Sequence, residues 1–142
     1  MLKGISHVLS PELLKILMEM GHADEIVLGD ANFPAASHAQ RLVRADGHRI
    51  PALLNAILPL FPLDTYVESP VALMAVTPGD TVETPIWDEY REIVQLFHAV
   101  PVQFDEVERF SFYERAKNAY AIVSTGEKAL YANIILKKGV VV

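Results

Sequence analysis

Glu19–Pro34, EMGHADEIVLGDANFP, sets the apolar run Ile26-Val27-Leu28 between two polar residues, His22 before it and Asp30 after it. A continuous apolar run of this length, bounded by turn residues, reads as a short buried strand. Gly21 closes what precedes it, and Pro34 biases Phe33 away from helix. On the upstream side, SPELLKILMEMG carries Ser10 as an expected N-cap and Pro11 at the first helical position. Leu13, Leu14, Leu17 and Met20 follow at the 3.6-residue period. The stretch is therefore a helix, a turn, a buried strand and a loop. Its two polar ends need partners, because an unpaired polar group is costly to bury.

The same alternation continues along the chain. RLVRADG reads as a strand closed by a turn, and IPALLNAILPLFP as a helix ending near Pro59. VALMAVTPGD is an apolar strand closed by a Pro-Gly turn. PIWDEYREIVQLFHA is an amphipathic helix, with Ile86, Tyr90, Ile93, Val94 and Phe97 on one face. VERFS reads as an edge strand, FYERAKNA as a short helix, and YAIVSTGE and LYANIILKKG as strands. Nearly unbroken apolar strands between helices predict an α/β fold, with a largely parallel sheet and helices on both faces. The 142 residues suit one domain, 1–142.

Composition narrows the function classes. The formal net charge of -6 argues against a nucleic-acid scaffold, which presents a basic face. The absence of cysteine excludes disulfides, thiolate nucleophiles and cysteine metal sites. No stretch reaches the ~18 apolar residues of a membrane helix. MLKGISHVLSPE has no long apolar run after its lysine, so a secretory signal is not expected and the expected location is cytoplasmic. The apolar share of 51% is high for so short a chain and points to contacts between subunits.

No P-loop or GxGxxG is present, so no nucleotide cofactor is implied. His7, His38, His48 and His98 lack metal-ligand spacing. Asp30 directly follows a buried strand, where α/β folds gather their sites. It is either a hydroxyl acceptor for a small ligand or the side chain of an Asx turn. His22 lies beyond the other end of that strand. An imidazole, with an ordinary pKa of about 6.5, suits proton transfer near neutral pH; the alternative is a cap on the first helix. Arg109 offers a planar fork of donors for a hydroxyl-rich ligand or a carboxylate, or else a surface ion pair. Tyr131 and Asn133 stand two apart in YANIIL, which on a strand directs both side chains to one face. At about 3.3 Å per strand residue, eight residues hold His22 and Asp30 well apart on a straight strand. Either the GHAD loop folds back or neighbouring subunits share a site.

Taken together, SPELLKILMEMGHADEIVLGDANFP, RADG, FYERAKNAYAIVSTGE and YANIILKKG resemble the RbsD/FucU family of sugar mutarotases, over essentially the whole chain and most closely in its fucose-acting branch. Phe112-Tyr113-Glu114-Arg115 is a mark of that branch; Asn32 departs from it, since a histidine often stands there. The resemblance implies a three-layer α/β/α fold and interconversion of the α and β anomers of L-fucose by acid–base ring opening. It implies no cofactor and no metal. It makes His22 the catalytic acid/base, and Asp30, Arg109, Tyr131 and Asn133 sugar-binding groups. Tyr131 either carries the second proton or only orients the sugar. Ring-shaped decamers with pockets at subunit boundaries are also implied. The alternatives are pyranose–furanose exchange of D-ribose, and a noncatalytic sugar-binding or assembly protein.

Overall fold

The computed structural model describes Met1–Val142. Its elements run α1 (Pro11–Glu19), β1 (Glu25–Gly29), α2 (Ala35–His38), β2 (Leu42–Ala45), α3 (Ile50–Ile57) and β3 (Val71–Met74). They continue with α4 (Pro85–Leu96), β4 (Phe104–Val107), α5 (Arg109–Asn118), β5 (Ala121–Thr125) and β6 (Ile134–Lys137). The six strands form one sheet in the order β2-β5-β1-β6-β3-β4. The pairs β1–β5, β2–β5 and β3–β4 are parallel, while β6 runs antiparallel to both β1 and β3. The sheet is thus parallel apart from one reversed strand near its centre.

Alternating residues of each central strand enter two cores. Ile26, Leu28, Leu73, Val123, Ile134 and Leu136 meet α1, α3 and α4 on one face. Val27, Ala72, Ile122 and Ile135 meet Ala35, Phe112 and Ala116 of α2 and α5 on the other. Burial on both faces explains why these strands lack polar alternation.

Local chemistry sets the helix starts. Ser10 accepts a hydrogen bond from the Leu13 N–H at 3.1 Å, as an N-cap does. Glu127, buried beside the start of α3, accepts from the Ile50 N–H at 3.3 Å. Two expected elements shift. The edge strand is Phe104–Val107 rather than VERFS, because Glu108 caps α5 by accepting the Ser111 N–H at 3.0 Å, making Arg109 the first helical residue. The ANFPAASHA loop contains the short helix α2.

The topology has a consequence for function. The carboxyl ends of β1, β3 and β4 and the start of the reversed β6 all lie on one edge of the sheet. The start of β1 and the end of β6 lie on the opposite edge.

Candidate active site

A cavity of about 250 Å³ opens at the first of these edges. Asp30 reaches it from the end of β1, Arg109 from the start of α5, Tyr131 and Asn133 from the approach to β6, and Asp80 from the loop after β3. Phe33, Met74, Tyr113 and Leu130 supply its apolar wall. Four of the five residues singled out in the sequence therefore meet here, although they are up to 103 residues apart.

Asp30 makes the Asx turn and also reaches the cavity. Its Oδ1 accepts the Asn32 N–H at 2.9 Å, closing an Asx turn, and its carboxyl group lines the cavity. Burial raises it from its ordinary carboxylate value; the backbone N–H groups of Asn32, Phe33 and Ala132 pull the other way, and the charge of Glu127 adds to the rise. Gly29 permits the tight return of the chain, since a Cβ there would lie 2.8 Å from the Phe33 ring. Asn133 ties the loop down: its Oδ1 accepts the Asp30 N–H at 2.7 Å, which fixes the orientation of its amide.

The expectation that Tyr131 and Asn133 share a strand is corrected. β6 begins at Ile134, and Tyr131 sits in a left-handed turn at φ 53°. Side chains of α4 impose this conformation. Trp87 Nε1 donates to the Tyr131 carbonyl and Tyr90 Oη to the Ala132 carbonyl, each at 2.8 Å. Burial pushes the Tyr90 phenol strongly up, so it stays a donor. Both bonds satisfy peptide oxygens that the turn removes from the β-ladder. The phenol of Tyr131 donates to Asp80 Oδ2 at 2.7 Å.

His22 is not in this cavity. It lies beyond the amino end of β1, a strand of five residues that spans ~13 Å at about 3.3 Å per residue. Its ring does not cap α1, which closes through the Met20 N–H. Instead Nε2 lies 3.1 Å from Asp64 Oδ1, with the imidazole 43% exposed and the carboxylate buried. The Tyr66 N–H donates to the same oxygen at 3.0 Å, and the Tyr66 ring stands 5.3 Å from the His22 ring. Burial pushes Asp64 up, but the Tyr66 N–H and the His22 ring outweigh it and hold the carboxyl below its ordinary value. Asp24 serves its turn, accepting the Gly21 N–H at 2.7 Å. Asp64 and Asp80 do not stand out in the sequence, where TPGD reads only as a Pro-Gly turn.

The single chain thus carries a polar cavity of about 250 Å³ at one edge, and a part-exposed imidazole on a buried carboxylate at the other. Residues 3–141 match the RbsD / FucU transport protein family. The chain belongs to that family. It is 55% identical over 145 residues to a human protein named fucose mutarotase, covering 98% of this chain and 94% of the relative. It is also similar to the fucose mutarotase of Streptococcus pneumoniae, whose crystal structure holds L-fucose: the TM-score is 0.95 at 55% identity, over 99% of this chain and 100% of that one. The FucU structure from Bifidobacterium longum gives a TM-score of 0.96 at 52% identity, over 99% and 100% of the two chains.

Proposed function

We propose that this RbsD/FucU family chain is an L-fucose mutarotase, which interconverts the α and β anomers by opening and reclosing the sugar ring. The observation that carries the reading is the convergence of Asp30, Arg109, Tyr131 and Asn133 on one small cavity. A carboxylate, a guanidinium, a phenol and an amide supply acceptors and donors for several hydroxyls at once. The fucose mutarotase identity of the 55% identical relatives supports the choice of sugar.

Ring opening removes a proton from the anomeric hydroxyl and delivers one to the ring oxygen as the C1–O5 bond breaks. Rotation about C1–C2 then presents the other face of the aldehyde, and the reversed transfers close the ring. Two general acid–base groups suffice, each worth ~10²–10⁴-fold when positioned. His22 serves as one of them. Asp64 holds its Nε2, which leaves Nδ1 to exchange a proton with the ring oxygen. Tyr131 serves as the other. Asp30, Arg109 and Asn133 hold the remaining hydroxyls.

One chain cannot bring His22 to the cavity, so the site forms between neighbouring subunits of a homo-oligomer, a ring-shaped decamer in this reading. Exposed apolar side chains beside both halves of this site support it: Tyr66 against His22, and Phe110 and Leu130 beside the cavity. The cytoplasm is the location in this reading. No helix is long and apolar enough to cross a membrane. Saturation-transfer NMR on L-fucose tests the activity, with D-ribose in parallel to separate anomer exchange from pyranose–furanose exchange. Tight sugar binding without faster exchange would replace catalysis by a noncatalytic binding role.

A further inference from the structure

The loop between β3 and α4, residues 75–84, directs two polar groups, the Thr77 N–H and the Asp80 carboxylate, to a single residue of the cavity. Tyr131 Oη donates to Asp80 Oδ2 at 2.7 Å and accepts the Thr77 N–H at 3.3 Å. The other oxygen of Asp80 accepts the Val82 N–H at 3.1 Å, which fixes the carboxylate on its loop. A phenol has one proton and two lone pairs. Here the proton is committed to Asp80 and one lone pair to Thr77. The second lone pair is what remains for a ligand in the cavity that Tyr131 and Asp80 both line.

We infer that Asp80 is a positioning residue that fixes the direction of the Tyr131 hydroxyl, making the phenol the acceptor of the sugar's anomeric proton. The inference deepens the mutarotase reading above and rests on it. In the opening step the O1–H proton moves to Tyr131 Oη, while the phenol's own proton moves to Asp80 Oδ2. The O1–H electron pair becomes the second bond of the C1 carbonyl. The C1–O5 pair stays on O5, which takes its proton from the His22 imidazolium of the neighbouring subunit. Closure on either face runs the transfers backwards, and every group returns to its starting state. Aspartate is suited to this position because it holds the loop with one oxygen and the phenol with the other.

Asp80→Asn tests the assignment. The amide keeps an oxygen for the Val82 N–H and turns its NH₂ toward the phenol, so the Tyr131 hydroxyl must swing its proton into the cavity. The expected result is a fall in kcat for L-fucose anomer exchange of about 10- to 100-fold, smaller than the ~10²–10⁴-fold of a whole positioned proton transfer because the phenol itself is kept, with KM little changed. In a Tyr131→Phe background the same substitution is expected to change exchange less than about twofold, because residues that act through one another are not additive. Asp80→Glu, which restores a carboxylate, is expected to exceed Asp80→Asn in kcat. Should Asp80→Asn fail to fold, Asp80→Ala carries the same cycle. Unchanged kcat in Asp80→Asn, an equal loss with and without the phenol, or full activity in Tyr131→Phe would each overturn the inference. A wild-type protein that does not accelerate L-fucose exchange would instead remove the reading beneath it.

Discussion

At the carboxyl end of β1, Asp30 is buried and raised from its ordinary titration range; at the amino end, Asp64 is buried as deeply and held below it. The difference lies in what each carboxylate is given. Asp64 has the ring of His22 in reach, together with the Tyr66 N–H. Asp30 has backbone N–H groups and the nearby charge of Glu127, and its carboxyl faces a cavity. One edge is electrostatically complete within the chain. The other presents a carboxylate raised by burial to an open cavity, as befits a site that takes a polyhydroxyl ligand. Under the proposed mechanism, a finished proton carrier on one edge and an unfinished pocket on the other require two copies to meet.

The harshest break in that comparison is removal of the proton carrier. His22→Ala is expected to fold, because the ring is 43% exposed, and to lose anomer exchange by ~10²–10⁴-fold. Saturation-transfer NMR reads the loss directly. Exchange near the wild-type rate would take His22 out of the chemistry and leave its edge a structural one.

Mixing sharpens the same point. His22→Ala subunits retain a cavity, and Asp30→Asn subunits retain an imidazole. If each site draws on two neighbours, co-refolded or co-expressed mixtures recover up to about one quarter of wild-type exchange, the random share of fully native sites in a closed ring. If both half-sites act within one chain, the mixture stays as inactive as its parents.

How far these edges could be read from sequence follows the range of the forces that build them. Ser10 and Pro11 announce α1 because a cap is made with residues three positions away. Ile26-Val27-Leu28 announces β1 because burial on both faces leaves no polar alternation. Asp30 and Arg109 stand out because each sits where a strand hands over to a loop or helix. Tyr131 stands out in the sequence but reads as part of a strand, because the bonds that turn it left-handed come from Trp87 and, through Ala132, Tyr90, more than 40 residues earlier. Asp64 and Asp80 stayed hidden for the same reason: their partners lie 42 and 51 residues away, and locally each is an ordinary turn acid. The reversal of β6, which brings Tyr131 to the carboxyl edge, is a property of the whole sheet and leaves no mark on LYANIILKKG.

The Tyr90 bond tests the cavity edge from behind. Tyr90→Phe keeps the packing of a fully buried ring but leaves the Ala132 carbonyl without its donor. The expected cost is about 1–3 kcal/mol in urea unfolding, the penalty for an orphaned buried acceptor. A variant as stable as the wild type would show that the Tyr131–Asn133 turn holds without α4.

The smallest expected effect separates the two carboxylates by sign. A carboxylate raised in the fold contributes stability that is fully present below its unfolded pKa, about 3.9, and lost as pH rises through the folded value. Ionised Asp30 is therefore a cost at neutral pH. Asp30→Asn keeps an oxygen for the Asn32 N–H and removes that cost, so its Tm relative to wild type should climb as pH rises from about 4. Asp64 runs the other way: its contribution is present above about 3.9 and lost as pH falls through its lower folded value. Asp64→Asn should be less stable than wild type at pH 7 and converge with it as the solution is made strongly acidic. Difference curves of Tm against pH for the two variants thus open in opposite directions on going from acid to neutral. Two curves of the same sign would mean that the cavity edge already satisfies Asp30 within the chain, and that the contrast between a finished and an unfinished edge does not hold.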